Sequence, residues 1–396
     1  MSNLYASLAW LPQPPPDLGA RCRAVLSSAA DAGNRLRQLA SCALNEAQLN
    51  RLAREVERAR QTGISLAPLV PFRLGVLSNS TTSFLCPALT ATALRHGIAL
   101  ECIETPFGQV AQEALSPDSE INQSRPNAVL LAIDYRGLPL RETPGDAAAA
   151  EATVARVLDF LATIRDGVKR HGGAVSILQT IARPAEPSFG SLDLTIAGTL
   201  RGLIDAINRE IAAGIAGSSD LIFDVAGLAE TVGLAEWHSA VEWNMAKLPF
   251  ASLFLPLYAD HVCRILAAHL GKSRRCLVLD LDNTLWSGVI GDDGIEGIII
   301  GEGDATGEAH LGVQQAALAL RDRGIVLAVS SKNDDAVARL PFQDHPQMLL
   351  REEHIAVFQA NWNDKATNIK AVAEELSLGL DAMVLLDDNP AERGLV

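Results

Sequence analysis

Short apolar segments alternate with longer amphipathic segments along most of the chain, beginning near residue 70. The apolar segments of the first half are residues 74–77, 98–103, 128–133, 174–178 and 221–225, and those of the second half are residues 276–281, 325–330, 355–359 and 383–386. Continuous apolar runs of this kind are typical of buried strands in a parallel sheet, and the stretches between them have helical spacing. The pattern therefore predicts an α/β protein with two Rossmann-like, three-layer α/β/α domains.

The same pattern divides the chain into four parts. Residues 20–62 place leucine and valine at helical spacing, so residues 1–69 are predicted to form a helical N-terminal segment. Residues 70–245 are predicted to form the first α/β domain, residues 246–275 a linker helix, and residues 276–396 the second α/β domain. Because the chain stops soon after Pro390, where a further helix would begin, we expect the second domain to be truncated at its C-terminus.

The net negative charge of the chain disfavours two classes of binding partner, nucleic acid and membranes. The formal net charge is −14, from 33 lysine and arginine residues against 47 aspartate and glutamate residues. Such an excess of negative charge disfavours non-specific binding to nucleic acid, which requires a basic surface, and it disfavours a polybasic membrane anchor. No apolar run is long enough to span a bilayer, so we expect neither nucleic acid nor a membrane as a partner.

The cysteines and the N-terminus indicate the compartment. Six cysteines are dispersed along the chain, without a Cys-x-x-Cys pair or a histidine cluster at zinc-finger spacing. A disulfide framework and a structural zinc site are therefore not expected. Residues 1–18 contain several prolines and no basic residue, which is unlike a signal peptide. The sequence thus predicts a reduced, cytoplasmic protein.

The strongest chemical signal lies where the predicted strand at residues 276–281 meets a loop. Asp280 and Asp282 flank a single leucine there, and the alternation of side chains along a strand would direct both carboxylates to the same side. Two adjacent buried acids are costly unless a cation or a catalytic role compensates for them. Mg²⁺ prefers a few hard oxygen ligands together with water and phosphate. The pair therefore predicts a Mg²⁺ site.

Further polar groups follow the later predicted strands of the same domain. Ser331 offers a hydroxyl after the second strand, and Lys365 precedes a helix. Asp387 and Asp388 end the last strand. Ligands of open parallel sheets bind at the carboxyl ends of the strands, so we expect these groups at one edge. The alternative, that the acids only cap strands and turns, would require all the groups to fall in this order by coincidence.

Four motifs in this order resemble the haloacid dehalogenase superfamily, whose cofactor is Mg²⁺. The resemblance implies that Asp280 is the nucleophile that forms an aspartyl phosphate and that Asp282 is the general acid and base. It also implies that Ser331 and Lys365 bind the transferring phosphoryl group. The metal ligands would be Asp280, the backbone carbonyl of Asp282 and the carboxylate of Asp388. The residues that would bind phosphate or support the site are Thr284, Lys332, Asn333 and Asp387.

The segment between Thr284 and the second predicted strand of this domain is short. It is predicted to contain a loop and one helix, at residues 307–323, which is too little for a separate cap domain. A capless haloacid dehalogenase-like site excludes water poorly by itself. It does, however, admit a bulky substrate or a protein partner that closes the site.

The residues around these motifs narrow the resemblance. The segments that carry it are CLVLDLDNTLWSGVIG at residues 276–291, SKND at 331–334, NWNDK at 361–365 and DDNPAER at 387–393. They look like the FkbH-like family, and the resemblance covers residues 70–396. Members of that family take the glyceryl group of 1,3-bisphosphoglycerate, release phosphate and deliver a glyceryl thioester to an acyl carrier protein for polyketide biosynthesis. The resemblance thus implies a phosphorylated three-carbon substrate and an acyl carrier protein as partner.

One position departs from the family pattern. Relatives often carry a cysteine just before the Ser-Lys-Asn motif, where a thiolate could accept an acyl group, and this chain has Ser330. If the family uses that thiol, this protein must use another group or carry out different chemistry. Cys276 is the next candidate acyl carrier, although a cysteine within a strand is more often a packing residue than a catalytic one.

The first α/β domain contains a second candidate site. The sequence LSNSTT at residues 77–82 resembles the nucleophile block of SGNH hydrolases, with Ser80 at the nucleophile position and Asn79 before it. His238 lies in the region of the catalytic histidine, but Ala235 occupies the position of the aspartate that usually precedes it. The segment IDYR at residues 133–136 replaces the block that usually carries a catalytic asparagine. The resemblance therefore implies an SGNH-like fold with an incomplete triad, which favours binding of a substrate or partner over catalysis by Ser80.

Three functions follow from these observations. The first is a phosphatase and glyceryltransferase that acts on 1,3-bisphosphoglycerate and loads an acyl carrier protein. The second is a plain phosphomonoesterase acting on a metabolite or a glycan intermediate, which Ser330 favours. The third is a carrier-protein docking module with a vestigial active site. Acyl transfer distinguishes the first from the second, and carrier binding without metal-dependent turnover indicates the third.

Overall fold

The computed structural model describes residues 4–27 and 31–396. The chain divides into two compact units, Met1–His269 and Leu270–Val396, and each has its own parallel sheet. Helices connect the strands in both units, which confirms the α/β fold predicted from the sequence. Among the described residues, none of the helices combines the length and the apolar character that crossing a membrane requires.

In the described residues before the first sheet, the chain forms three α-helices. They are α1 (Leu18–Ala24), α2 (Ala32–Ala40) and α3 (Glu46–Gln61). The side chain of Asn45 caps α3 by accepting a hydrogen bond from the backbone N–H of Gln48, and the Gln48 side chain accepts one from the backbone N–H of Asn45. The helical segment predicted for residues 20–62 thus consists of several helices, and residues 28–30 within it lie outside the described residues.

The first sheet has five parallel strands. They are β1 (Val70–Ser78), β2 (Ile98–Glu104), β3 (Ala128–Ala132), β4 (Val175–Gln179) and β5 (Leu221–Phe223). Their order in the sheet is β2-β1-β3-β4-β5. Every residue of β3 is buried, which explains its continuous apolar sequence. Ser78 is aligned with Ala132, so the loops after β1 and β3 begin side by side at the carboxyl edge of the sheet.

Nine helices connect or follow these strands. They are α4 (Leu85–Arg95), α5 (Val110–Leu115), α6 (Glu120–Ser124), α7 (Ala147–Gly172), α8 (Leu200–Ile215), α9 (Val225–Val232), α10 (Leu234–Trp237), α11 (Ala240–Ala246) and α12 (Leu255–His269). Helix α7 packs against α5, α6 and α8, whereas α4 packs against α3 and α12. These two groups of helices form the outer layers of the unit, as the three-layer prediction requires.

The helix predicted as a linker between the domains belongs to the first unit. Helix α12 packs against α4, where the carboxylate of Asp260 accepts hydrogen bonds from Arg95 at 3.1 Å and His96 at 3.2 Å. The Cys263 thiol donates to the backbone carbonyl of Leu89 at 3.5 Å. Helical spacing of apolar residues predicts an amphipathic helix at this position, but it does not indicate the surface against which the helix packs.

The second unit has four parallel strands. They are β6 (Cys276–Leu279), β7 (Val326–Ser331), β8 (Val357–Ala360) and β9 (Met383–Leu386), in the order β8-β7-β6-β9. Its helices are α13 (Ile290–Gly297), α14 (Ala305–Asp322), α15 (Asp335–Asp344), α16 (Lys365–Glu375) and α17 (Pro390–Leu395). Strand β6 ends before Asp280, whose backbone N–H donates to the carbonyl of Leu386 at 2.9 Å. Only α13 and α14 lie between β6 and β7, in agreement with the predicted absence of a cap domain.

Candidate active site

Asp280 follows the central strand β6 at the carboxyl edge of the second sheet. Its side chain is buried, and its Oδ1 atom lies 2.7 Å from the Nζ atom of Lys365. The Thr284 hydroxyl donates a longer hydrogen bond, of 3.4 Å, to the Oδ2 atom. Burial raises the pKa of Asp280 to about 6, although Lys365 acts in the opposite direction. The predicted nucleophile is thus held at the end of β6 by a cation and a hydroxyl.

Lys365 is the first residue of α16 and is almost completely buried. Its Nζ atom contacts the carboxylates of Asp280 at 2.7 Å, of Glu392 at 3.1 Å and of Asp387. Burial lowers the pKa of this ammonium group, but its hydrogen bonds to Asp280 and Asp387 outweigh burial and raise the pKa above its ordinary value. An ammonium group has three N–H donors, so the three carboxylates account for all of them.

Three carboxylates gather beside this lysine. Asp280, Asp387 and Asp388 offer oxygen atoms that all lie within 4.8 Å of one another. The backbone N–H of Asp388 donates to the Thr284 hydroxyl at 3.2 Å, which ties the loop after β9 to the loop after β6. Several hard oxygen donors beside an open cleft are the ligands that Mg²⁺ prefers. The donor set fits the predicted cation, and it includes Asp387, which the sequence predicted only as a supporting residue.

Three donors orient the carboxylate of Asp282. Its Oδ1 atom accepts hydrogen bonds from the Trp286 indole N–H and the backbone N–H of Ile290, both at 3.0 Å. Its Oδ2 atom accepts one from the Asn333 amide at 2.7 Å. These bonds fix the orientation of the predicted general acid and base and assign a role to Asn333. The contact between the Asp282 carbonyl and a metal ion stays a prediction.

Ser330 and Ser331 end β7, and their side chains have different surroundings. Ser331 lines the same cleft as Asp280 and accepts a hydrogen bond from the Asn333 amide at 3.0 Å. Ser330 is fully buried, and its hydroxyl has no hydrogen-bond partner within the described part of the chain. Because side chains alternate along a strand, the two hydroxyls point to opposite faces of the sheet. This arrangement favours Ser331 as the phosphate-binding hydroxyl.

The cleft between these loops has a volume of about 400 Å³ and is open to solvent. Clefts of this size accommodate small metabolites. Lys332 lies at its rim, with 42% of its side chain exposed, and its Nζ atom lies 2.6 Å from Glu392. The residues that line the cleft are Asp280, Asp282, Asn283, Ser331, Lys332, Lys365, Asp388, Asn389, Pro390 and Glu392.

Glu392 is a site residue that the sequence motifs did not indicate. Its carboxylate bridges Lys332 at 2.6 Å and Lys365 at 3.1 Å. Burial would raise the pKa of Glu392, but the two lysines outweigh burial and lower it. The available signal was its position in the first turn of α17, directly after Pro390 at the start of that helix. A helix that begins at the carboxyl edge of a parallel sheet presents its first turn to the ligand site.

The surroundings of Cys276, the candidate acyl carrier, favour the packing role. Cys276 is buried in β6 and packs against Val278 and Val357 in the core. Burial raises the pKa of its thiol to about 11. A thiol with this pKa is almost wholly protonated at neutral pH, and the thiolate is the nucleophilic form. Cys276 is therefore a packing residue.

Asn79 and Ser80 follow β1 in the first unit. Ser80 is buried, and its hydroxyl oxygen lies 2.8 Å from that of Ser78. The Asn79 amide donates to the carboxylate of Asp134 at 2.8 Å, and its Oδ1 atom accepts from the backbone N–H of Asp134 at 2.9 Å. Asn79 thus fastens the loop after β1 to the loop after β3, next to Ser80.

His238 and Ser80 line the same small pocket, which has a volume of about 20 Å³. The Nε2 atom of His238 lies 2.9 Å from the backbone carbonyl of Arg183, and burial lowers the pKa of the imidazole. No hydrogen bond joins His238 to Ser80 in the structure as described. A serine nucleophile requires a base within hydrogen-bond reach. The fold thus brings the two predicted residues to one pocket without joining them as a catalytic pair.

One solved structure is similar to most of this chain. It is the N-terminal part of the protein BF1531 from Bacteroides fragilis, which contains a phosphatase domain and is complexed with Mg. The two chains share 29% sequence identity at a TM-score of 0.77, over 87% of this chain and 90% of that chain. The chain has a haloacid dehalogenase-like phosphatase fold. This likeness extends over both units.

The other comparisons add little. The salicylyl-acyltransferase SsfX3 from a tetracycline biosynthetic pathway matches at 11% identity and a TM-score of 0.30, over 52% of this chain and 56% of that chain. A TM-score of 0.30 does not indicate a shared fold. No protein-family model matches the chain, and no curated protein matches it. The FkbH-like and SGNH-like resemblances therefore stay predictions.

Proposed function

We propose that this chain is a Mg²⁺-dependent phosphatase that forms an aspartyl phosphate at Asp280. The observation that carries the proposal is the contact of the buried Asp280 carboxylate with Lys365, next to the carboxylates of Asp387 and Asp388. A phosphatase of the haloacid dehalogenase type requires a carboxylate nucleophile, a fixed cation and acidic metal ligands in one place. The similarity to a phosphatase domain complexed with Mg supports the same assignment.

The residues of the cleft supply the groups for two displacements at phosphorus. First, an Asp280 oxygen bonds to phosphorus, the bond from phosphorus to the leaving oxygen breaks, and Asp282 gives that oxygen its proton. Next, Asp282 takes a proton from water, whose oxygen attacks phosphorus and releases the Asp280 carboxylate and inorganic phosphate. Ser331 and Lys365 donate hydrogen bonds to the phosphoryl oxygens. A Mg²⁺ ion held by Asp280, Asp387 and Asp388 would neutralise phosphoryl charge.

The substrate that we propose is 1,3-bisphosphoglycerate, and the acceptor is the thiol of an acyl carrier protein. In this transfer a bond forms from sulfur to the glyceryl carbonyl carbon, the bond from that carbon to the phosphate oxygen breaks, and the thiol proton is released. The products of this step are a 3-phosphoglyceryl thioester and phosphate. Hydrolysis of the remaining 3-phosphate, through the aspartyl phosphate at Asp280 and then water, gives the glyceryl thioester and a second phosphate. The FkbH-like motifs support this substrate, and the capless cleft of about 400 Å³ supports a protein partner, because it leaves the site accessible.

The cysteines of the chain favour direct transfer to the carrier. Cys22, Cys86, Cys263 and Cys276 are buried, and Cys42 and Cys102 are half-buried. None of the six lines the cleft around Asp280. An acyl group that left 1,3-bisphosphoglycerate there would therefore meet the thiol of the carrier before any thiol of this chain. The same observation favours the second candidate function, a plain phosphomonoesterase, if no carrier accepts the acyl group.

Intact-mass spectrometry tests these proposals. The protein would be incubated with Mg²⁺, enzymatically generated 1,3-bisphosphoglycerate and an acyl carrier protein, beside an Asp280→Asn variant. A glyceryl-sized mass gain on the carrier, with release of phosphate, is the expected result. If the wild type releases phosphate, the variant does not, and the carrier gains no mass, the phosphatase function is supported and the acyl transfer is refuted. Carrier binding without phosphate release would indicate the docking module and refute the enzyme.

A further inference from the structure

A second cleft lies at the carboxyl edge of the sheet in the first unit. Its volume is about 150 Å³, and it lies between the segment after β4 and the first turn of α8. Helix α8 leads from β4 to β5, so both walls are at the edge where open parallel sheets bind ligands. The charged groups in its lining are Arg183, Glu186, Asp193 and Arg201.

Arg201 brings an unused donor to this cleft. Its Nε atom is buried and has no hydrogen-bond partner among the described residues. The carboxylate of Asp205 is 3.9 Å from Nε, which is beyond hydrogen-bond distance. Buried donors in native proteins almost always have an acceptor, because leaving one unpaired costs stability. The Arg201 side chain as a whole is 32% exposed and lines the cleft, so its terminal N–H groups are available to an acceptor that a ligand supplies.

Asp193 brings an acceptor to the same cleft. The residue is only 3% exposed, and its Oδ2 atom accepts a long hydrogen bond, of 3.3 Å, from the backbone N–H of Phe189. No arginine, lysine or histidine of the described residues forms an ion pair with it. Buried carboxylates are normally paired with a cation or with several donors. The cleft thus holds a donor and an acceptor that are both incompletely satisfied by the protein.

The walls of the cleft are fixed by other contacts. Arg183 pairs with Glu230 at 3.0 Å, and its backbone carbonyl lies 2.9 Å from the His238 ring. Pro184 and Pro187 restrict the backbone of the segment that follows Arg183. A site with such restricted walls loses little conformational entropy when a ligand binds.

We propose that this cleft binds a small carboxylate whose α-substituent donates a hydrogen bond, that is, an amino acid or a hydroxy acid. The ligand carboxylate accepts from Arg201, on the side of the cleft away from Asp193. The α-ammonium or α-hydroxyl group donates to Asp193. The apolar lining residues Leu200 and Leu234 face a small side chain. This site lies in a different unit from Asp280, and the inference does not depend on the proposed phosphatase function.

Isothermal titration calorimetry of the full chain tests the site with three probes of nearly equal shape: L-alanine, L-lactate and propionate. We expect alanine or lactate to bind at least about ten-fold more tightly than propionate, because only they can donate to Asp193. Tighter binding of alanine would identify an ammonium group as the preferred donor, and tighter binding of lactate would identify a hydroxyl group. Equal binding of propionate would refute the proposed role of Asp193. Absence of binding by all three probes at about 20 mM would refute the site.

Matched variants locate the binding. Arg201→Gln is expected to weaken binding of alanine or lactate by about ten-fold or more, because it removes the charge that faces the ligand carboxylate. Arg209→Gln changes an exposed arginine of the same helix and is expected to leave binding unchanged. Asp193→Asn is expected to reduce the ratio by which alanine or lactate binds more tightly than propionate. If Asp193→Asn does not fold, the comparison of Arg201→Gln with Arg209→Gln decides. Unchanged binding by Arg201→Gln would overturn the proposal.

Discussion

Lys365 reaches the Asp280 carboxylate across the end of strand β7. Lys365 follows β8 and Asp280 follows β6, and β7 lies between these two strands in the sheet. Their charged groups nevertheless lie 2.7 Å apart, because the long lysine side chain extends from the first residue of α16. The ion pair therefore joins two loops that are distant in sequence. It also favours the ionised form of the Asp280 carboxylate, because Lys365 lowers the pKa that burial raises.

Replacement of the nucleophile should abolish phosphate release. Asp280→Asn keeps the shape of the side chain but cannot form the aspartyl phosphate, so we expect Mg²⁺-dependent hydrolysis of p-nitrophenyl phosphate to fall by about 10⁴-fold or more. Colorimetric release of p-nitrophenol measures this rate. Asp381→Asn, a change in an exposed residue outside the cleft, serves as the control and should retain activity. Substantial turnover by Asp280→Asn would contradict the proposed mechanism.

The raised pKa of Asp280 predicts how pH changes the stability of the metal-free protein. The folded state holds its proton more tightly than the unfolded state, with a pKa of about 6 against 3.8. Its contribution to stability is therefore complete below about pH 4 and is lost as the pH rises through 6. The free energy of unfolding should fall by about 2–3 kcal/mol over this interval.

Thermal unfolding with and without Mg²⁺ measures this effect. Because the cation favours the charged carboxylate, stabilisation by Mg²⁺ should be small at pH 5 and larger at pH 7.5. Asp280→Asn cannot ionise and should lose most of the difference between the two pH values. An equal Mg²⁺ shift at both pH values would show that the carboxylate of Asp280 does not control metal binding.

Glu392 should compete with phosphate for the two lysines. All three N–H donors of Lys365 are occupied, so a phosphoryl group must replace one carboxylate. Glu392 makes the longest of the three contacts, at 3.1 Å. Glu392→Gln removes one negative charge, and we expect inorganic phosphate to inhibit the variant at several-fold lower concentration. Glu375→Gln, an exposed change on α16, is the matched control. Weaker inhibition in Glu392→Gln would show instead that Glu392 positions the lysines.

The two serines that end β7 should respond differently to substitution. Ser331→Ala removes a hydroxyl from the cleft, and we expect kcat for phosphate release to fall by about 10–100-fold. Ser330→Ala removes a buried hydroxyl that has no hydrogen-bond partner, so activity should be retained and stability should stay within about 1 kcal/mol of wild type. Steady-state kinetics and urea denaturation measure the two effects. Loss of activity in Ser330→Ala would contradict the assignment of Ser331, and not Ser330, as the phosphate-binding hydroxyl.

Asp260 should be the most sensitive acid of the first unit. Its carboxylate is buried beside Arg95, whose side chain is 7% exposed, and it also contacts His96 and Arg264. Asp260→Asn leaves the buried guanidinium without a counterion, and we expect a loss of about 3–5 kcal/mol in urea denaturation. Asp17→Asn breaks an exposed pair with Arg21 and should change stability by less than about 1 kcal/mol. Similar losses in both variants would contradict this account.

The sequence predicted the parts of the site that local pattern determines. Apolar runs located the strands, and polar residues at their ends located Asp280, Ser331, Lys365 and Asp388, because the carboxyl ends of parallel strands meet at one edge. A segment with strong periodicity needs no knowledge of its neighbours to be recognised. The predicted α/β class is confirmed for the same reason.

The features that the sequence did not predict depend on contacts between distant residues. Nothing local to Glu392 indicates that it bridges two lysines, and nothing local to α12 indicates that it packs on α4. The residue type of Cys276 indicates possible reactivity, whereas burial, which the structure shows, decides how readily its thiol ionises. The incomplete pairing of Arg201 and Asp193 also becomes visible only when the two walls of the cleft are placed together.

The saturation of Lys365 by carboxylates has a consequence for selectivity. An incoming ligand does not meet a free cation, because it must displace the Glu392 carboxylate that already contacts Lys332 and Lys365. A simple carboxylic acid brings a single charge and gains little by exchanging places with Glu392. A phosphate monoester carries about −1.5 to −2 charges at neutral pH and offers three oxygens. The cleft therefore acts as a charge threshold, which phosphate monoesters pass and singly charged carboxylic acids do not.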